Sequence, residues 1–232
     1  MFLAAAVPAR AGQRVLDIGA GAGVAGLCLL VRVPGLELTA VEIDAEMTAL
    51  AARNAERNGF AGHFQAIKAD VTSTGKALRK AGLVSEHYHH VIANPPFYAE
   101  SKVRAAPDRT RAEAHVMRPG GLAAWVRFSA SMAAPNGLLT LIHRPDGLGE
   151  LLALLHRRFG DVTILPRFPK ARTAAARIIV QARKGSRAGM SLLPGIALHG
   201  PDGHYTAEAE AVLREAAALD LSKSDGGRNR RE

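Results

Sequence analysis

The tetrapeptide Asn94-Pro95-Pro96-Phe97 contains the groups needed to hold a planar amino group, and it directly follows the apolar run 91–93. Two prolines restrict the backbone and remove two amide donors, which leaves carbonyl oxygens facing outward. The side-chain oxygen of Asn94 and the carbonyl of Pro95 can accept both hydrogens of an –NH₂ group, and Phe97 can stack on a base. Asn94, Pro95 and Phe97 are therefore the candidate catalytic residues, acting by alignment and hydrogen bonding.

A glycine-rich segment, Asp17-Ile18-Gly19-Ala20-Gly21-Ala22-Gly23, has the composition of a cofactor-binding turn. Glycines let the backbone approach a ligand closely, and the following helix offers free N–H groups at its first turn. Glu42 ends the next strand-like run and can accept both hydroxyls of a ribose. Asp70 ends a third run and can accept from an adenine amino group. The candidate cofactor-binding residues are Asp17, Gly19, Gly21, Gly23, Glu42, Asp70 and Asn94, and no metal ligands are expected.

The glycine pattern is compatible with two different cofactors. Residues 21–26 match the dinucleotide fingerprint, with an acidic residue about 20 positions further on. Three features favour S-adenosylmethionine instead: Asp17 two residues before Gly19, the repeated acidic strand ending at Asp70, and the second motif at Asn94. An NAD-dependent dehydrogenase remains an alternative at this point.

Strand-like and helix-like segments alternate along the chain and would position these residues at one sheet edge. The alternation predicts an α/β fold, doubly wound, with a mostly parallel seven-stranded sheet and helices on both faces. The roughly ten residues between the last two strands are too few for a helical crossover, so these strands should form an antiparallel hairpin at the C-terminal end. The predicted strands are 15–18, 36–41, 64–69, 90–93, 137–142, 162–165 and 176–182. The predicted helices are 24–31, 45–58, a short one near 77, 122–132, 148–158 and 207–217.

The net charge of +9 is unevenly distributed along the chain. Residues 1–98 hold nine Lys/Arg against eight Asp/Glu, whereas residues 99–187 hold sixteen against six. A concentrated basic region favours a polyanionic partner such as RNA, although an arginine-rich surface without that role has the same composition. The residues expected on a mobile, RNA-facing loop after Phe97 are Lys102, Arg104, Arg109 and Arg111.

Composition also limits the class of protein. No apolar run reaches the roughly 18 residues that span a membrane. The single cysteine, Cys28, cannot form an internal disulfide, which fits a reducing cytoplasm. Trp125 has helical spacing with Leu122 and Phe128, which predicts core packing rather than base stacking. We expect one domain over residues 1–221, a disordered polar tail over residues 222–232, and no obligate protein partner.

With both motifs in one chain, the sequence resembles class I S-adenosylmethionine-dependent methyltransferases. More narrowly, it resembles the bacterial tRNA(Val) adenine-N6 methyltransferase family, with supporting stretches at 7–12, 141–144 and 176–180. The resemblance implies methyl transfer to the N6 amino group of an adenine in tRNA. It assigns the target base to Asn94, Pro95 and Phe97. It assigns the cofactor to Asp17, Gly19, Glu42 and Asp70.

The Asn-Pro-Pro-aromatic motif leaves several other acceptors open. Guanine N2, DNA adenine and a protein glutamine amide are alternatives, although glutamine methyltransferases normally carry a separate N-terminal helical domain. A non-catalytic RNA-binding protein of the same fold is a further alternative. The resemblance also implies a cofactor-covering segment of a few dozen residues before the first strand. Residues 1–5 look like the tail of that segment, so we expect weak cofactor binding by this sequence.

Overall fold

The computed structural model describes residues 1–96, 98–99, 116–117 and 121–222. The helices are α1 (Phe2–Ala5), α2 (Val24–Arg32), α3 (Ala45–Arg57), α4 (Gly75–Lys80), α5 (Gly121–Met132), α6 (Leu148–Leu155) and α7 (Ala207–Arg214). The strands are β1 (Arg14–Ile18), β2 (Glu37–Glu42), β3 (Phe64–Lys68), β4 (Tyr88–Ala93), β5 (Tyr98–Ala99), β6 (Val116–Met117), β7 (Ala133–His143), β8 (Phe159–Lys170), β9 (Arg177–Lys184), β10 (Ser191–Leu192) and β11 (Ile196–His199).

One large sheet forms the centre of the fold, with the strand order β3-β2-β1-β4-β7-β9-β8. All neighbours in this order are parallel except β7–β9 and β8–β9, so the predicted α/β class and the C-terminal antiparallel hairpin are confirmed. The sheet has nine strands rather than the predicted seven. The two additional strands are β10 and β11, which both pair with β8. They cover backbone groups that would otherwise be unpaired at the edge of the sheet.

Helices cover both faces of the sheet, as predicted. Side chains of a strand alternate between the faces. Leu16 and Ile18 of β1 therefore pack in a cluster with α4, α5 and α6. Val15 packs on the opposite face in a cluster with α1, α2 and α3. A third cluster joins α1 and α7 to the C-terminal strands.

The first residues of the chain are part of this core. Phe2 to Val7 are all buried, and α1 packs against α2. The guanidinium of Arg32 donates to the carbonyl of Ala4 at 3.0 Å and to the carbonyl of Val7. Leu219 donates its backbone N–H to the Ala5 carbonyl at 2.8 Å, which connects the end of the described chain to its start.

The described ranges also limit the possible membrane and metal-binding roles of the chain. Within them, no helix combines the length and the hydropathy needed to cross a membrane. The same residues contain no group of three or more His, Cys, Asp or Glu side chains arranged to hold a metal ion.

Candidate active site

The register of the parallel strands brings the predicted residues to one edge of the sheet. Ile18, the last residue of β1, lies opposite Val41 of β2 and Ala93 of β4. The residues that follow these positions, Gly19, Glu42 and Asn94, therefore emerge side by side. Asp70 follows β3 by two residues on the far side of β2. The carboxyl edge is where doubly wound sheets bind ligands.

The glycine loop after β1 is held to β2 by backbone hydrogen bonds. The N–H groups of Gly19 and Ala20 donate to the Val41 carbonyl at 2.8 and 3.1 Å. Gly19, Gly21 and Gly23 have φ of +63°, +53° and +82°, a region that L side chains rarely adopt. A Cβ on Gly21 would have no heavy atom of any described residue within 4 Å, so this backbone faces open space in the described structure. A ligand can approach the loop there.

Asp17 lies beneath this loop rather than at its surface. The side chain is only 2% exposed, and its Oδ2 accepts the N–H of Gly26 in the first turn of α2 at 3.1 Å. Burial raises the pKa of Asp17 to about 7, although the Gly26 hydrogen bond acts in the opposite direction. The negative charge of Glu42 raises it further. Asp17 is therefore a buried carboxyl group whose charged form a nearby cation would stabilise.

Of the two other acidic residues, Glu42 ends β2 and Asp70 lies two residues after β3, and each accepts hydrogen bonds from the turn that follows it. The Oε2 atom of Glu42 accepts the N–H of Gly21 at 2.8 Å, and its Oε1 atom accepts from Ile43 and Asp44 at 2.8 and 3.1 Å. The Oδ1 atom of Asp70 accepts from the backbone and the hydroxyl of Thr72 at 2.8 and 2.7 Å. Glu42 thus contacts the open part of the glycine loop directly.

The Asn-Pro-Pro-Phe segment lies next to that loop. Asn94 is exposed and Pro95 is buried, so the asparagine side chain is available to a ligand while the backbone behind it is packed. Phe97 lies outside the described residues, as do Lys102, Arg104, Arg109 and Arg111. The structure brings Asn94 and Pro95 to the same edge as Gly19 and Glu42, and the roles assigned to all of the site residues stay predictions.

Trp125 is a part of this site that the sequence did not reveal. Its half-buried ring packs on the apolar cluster of α4, α5 and α6, as predicted. The same ring also lies against Gly19, and a Cβ at that position would clash with it. Helical spacing indicated an apolar face for Trp125. It could not indicate a contact with a residue more than 100 positions away.

The histidines near β4 lie at the other end of the strands. The Nδ1 atom of His89 accepts the backbone N–H of Arg14 at 3.0 Å, and Nε2 of His90 pairs with the Gln13 side chain at 2.9 Å. His89 belongs to β4, which begins two residues before the predicted strand of residues 90–93. Burial lowers the pKa of His90 to about 4, so its ring is neutral at pH 7.

Comparison with known proteins identifies a matching family. The family model described as methyltransferase small domain matches residues 1–142. A relative from Cronobacter sakazakii, named tRNA1(Val) (adenine(37)-N6)-methyltransferase, is 28% identical over 226 residues, which cover 94% of this chain and 86% of the relative. The release factor glutamine methyltransferase of Chlorobaculum tepidum is 27% identical over 164 residues. That alignment covers 67% of this chain and only 54% of the relative.

A solved structure is similar over nearly its whole length. It is a protein of Agrobacterium tumefaciens described as a predicted O-methyltransferase. The two chains are 31% identical with a TM-score of 0.80, and the alignment covers 94% of this chain and 96% of that one.

Proposed function

Because this chain belongs to the methyltransferase small domain family, we propose that it methylates the N6 amino group of an adenine in tRNA. The observation that carries the proposal is the position of the Asn94 side chain, exposed beside the glycine loop at the carboxyl edge. The relative named for this reaction supports it, because the alignment extends over most of both chains. We also propose that residues 1–221 act as a single methyltransferase domain.

The chain is an S-adenosylmethionine-dependent methyltransferase, and its residues fit that cofactor. The open space over Gly21 can admit a ligand against the backbone. The carboxylate of Glu42 contacts the loop at that point and suits the two hydroxyls of a ribose. We propose that Asp70 accepts a hydrogen bond from the amino group of the cofactor's adenine. Asp17 is a buried carboxyl group that a ligand ammonium would stabilise in its charged form.

The chemistry required of the protein is alignment of the acceptor. S-adenosylmethionine, when bound, supplies a methyl group on a positively charged sulfur. The side-chain oxygen of Asn94 and the Pro95 carbonyl accept both hydrogens of the target amino group, which leaves the nitrogen lone pair facing the cofactor. Phe97 stacks on the base and holds its plane. Neither acceptor on the protein is a strong base, so positioning supplies most of the rate enhancement.

An amino group is a better match for this motif than a hydroxyl. A hydroxyl has one hydrogen, and it would leave one of the two acceptor oxygens without a donor. A glutamine amide has the same –NH₂ geometry as an adenine, so the local motif does not separate the two. The surplus of basic residues over 99–187 favours a nucleic acid over a protein substrate.

The proposal is tested by methyl transfer from radiolabelled S-adenosylmethionine to total tRNA, ribosomal RNA, duplex DNA and a translation release factor. The tRNA is then digested and its nucleosides are identified. We expect label in N6-methyladenosine from tRNA. Label in a guanosine, in DNA or in a glutamine would identify that group as the methyl acceptor and would contradict the proposed substrate. Cofactor binding without label in any acceptor would contradict the proposed reaction.

A further inference from the structure

The hairpin of β8 and β9 has several basic residues near the carboxyl edge of the sheet. Arg167 of β8 lies opposite Arg177 of β9, and β8 continues past this pair to Lys170. Arg172 follows in the turn. Lys170 and Arg172 are exposed, whereas Arg167 and Arg177 are half-buried.

The two ends of this hairpin differ in how their charges are balanced. At the amino edge, Arg183 pairs with Asp161 at 3.4 Å and Lys184 pairs with Glu86 at 2.8 Å. At the carboxyl edge, Arg167, Lys170 and Arg172 form no salt bridge with any of the described residues. Positive charge without a counterion is therefore concentrated at one end of the hairpin.

Arg167 is the residue whose positive charge is least favourably placed in this arrangement. Its guanidinium lies 4.3 Å from the centroid of the Phe2 ring, and its buried Nε has no hydrogen-bond partner among the described residues. Burial and the neighbouring charge of Arg177 lower the pKa of Arg167. An external anion would stabilise the positive charge of Arg167, and the planar donors of a guanidinium suit a phosphate.

The location of these charges relates them to the catalytic residues. β8 is parallel to β4, so its carboxyl end lies at the same edge as Asn94. Three strand spacings separate β8 from β4, or about 14 Å. Through the register of β4, β7, β9 and β8, Asn94 is level with Leu165, so Lys170 lies five residues, or about 17 Å, further along the strand. The end of the hairpin can thus reach nucleotides that flank a base held at Asn94.

We infer that Arg167, Lys170 and Arg172 form a phosphate-binding surface that holds the RNA strand beside the target base. The inference rests on the proposed RNA methylation and adds the element that contacts the substrate backbone. Such contacts set the register of a nucleic acid on a protein without reading its sequence. Lys170 ends β8 and Arg172 lies in the turn after it, whereas residues 102–111 lie outside the described residues.

Two double variants with the same change in net charge test the inference. The first is Lys170→Glu with Arg172→Glu, at the end of the hairpin. The control is Arg158→Glu with Arg187→Glu, two exposed arginines beside the amino edge of the same hairpin. Fluorescence anisotropy measures the binding of total tRNA at several salt concentrations. Calorimetry with S-adenosylhomocysteine and thermal unfolding measure cofactor affinity and folding.

We expect the hairpin variant to weaken tRNA binding at least tenfold and to reduce the slope of log K against log salt by about 2, or about 0.9 per lost contact. The control should stay within about twofold of wild type. Cofactor affinity and melting temperature should be unchanged in both variants. Equal weakening by the two variants would overturn the inference, because it would show a general effect of charge.

Other outcomes separate this inference from the proposed function. Normal tRNA binding by the hairpin variant, with tRNA methylated by wild type, would overturn the inference alone. Specific loss of tRNA binding in the hairpin variant, with no methylation of tRNA by wild type, would support the surface and contradict the reaction. Equal loss of binding to polyglutamate and to tRNA would show a general anion site, and this result would also overturn the inference.

Discussion

Gly21 and Gly12 have the same backbone requirement in different surroundings. Both have positive φ, +53° and +80°, and neither has a heavy atom within 4 Å of a Cβ built on it. Gly21 lies in the cofactor loop and Gly12 lies in the turn before β1. We therefore expect Gly21→Ala and Gly12→Ala to lower stability by a similar amount, on the order of 1 kcal/mol. Only Gly21→Ala should also weaken cofactor binding, by at least tenfold.

Thermal unfolding and calorimetry with S-adenosylhomocysteine measure the two effects separately. The Gly12→Ala protein controls for backbone strain alone. Wild-type cofactor affinity in Gly21→Ala would show that the open space over the loop is not the cofactor position.

Asn94 is also among the candidate cofactor-binding residues, but we expect its main effect on the chemical step, because its side chain is assigned to the target amino group. Its side chain is exposed, so Asn94→Ala should leave the fold intact. We expect kcat for tRNA methylation to fall at least 100-fold while the dissociation constant for S-adenosylhomocysteine stays within about twofold. Asn58→Ala removes another exposed asparagine, at the end of α3, and should be active. Turnover by Asn94→Ala at the wild-type rate would place the active site elsewhere.

At the scale of elements, Asp17 links β1 to α2 through its hydrogen bond with Gly26. The folded protein raises the pKa of Asp17 from 3.8 to about 7. Its contribution to stability is therefore complete below pH 3.8 and is lost as the pH rises through about 7. An asparagine keeps an oxygen for the Gly26 N–H and has no charge to bury.

We expect Asp17→Asn to become more stable relative to wild type as the pH rises. Between pH 5 and pH 8.5 the difference in unfolding free energy should grow by about 2–3 kcal/mol in favour of the variant, without cofactor. Urea unfolding at the two pH values measures this change. Parallel pH profiles for the two proteins would show that the carboxyl group of Asp17 is not buried as the structure has it.

At the scale of the whole molecule, the cofactor half and the basic half should respond differently to salt. Residues 1–98 are nearly balanced in charge, whereas residues 99–187 have a surplus of ten positive charges. Between 50 and 200 mM salt, we expect affinity for S-adenosylhomocysteine to change less than about threefold. Affinity for tRNA should fall about 100-fold or more. Calorimetry and anisotropy on wild type measure both, and a weak salt dependence for tRNA would contradict backbone recognition.

Local patterns were sufficient for much of the fold and for part of the site. The Gly19–Gly23 turn follows β1 as predicted, and Asn94 follows β4, because strand periodicity and proline or glycine positions act over a few residues. The match to a methyltransferase family confirms the resemblance that these motifs carried. The alternating strands and helices likewise predicted a mostly parallel sheet with a C-terminal hairpin.

The tertiary structure decided the features that depend on residues far apart in the chain. The contact of Trp125 with Gly19, the burial of Asp17 and the pairing of β10 and β11 with β8 all require the sheet to be assembled first. The charge balance at the two ends of the β8–β9 hairpin also depends on the assembled sheet, because both ends contain Arg and Lys in the sequence. Folding places acidic partners beside Arg183 and Lys184, whereas Lys170 and Arg172 form no salt bridge within the described part of the chain. Sequence alone therefore determined which residues are available for chemistry, and packing between distant segments determined their burial, charge balance and neighbours.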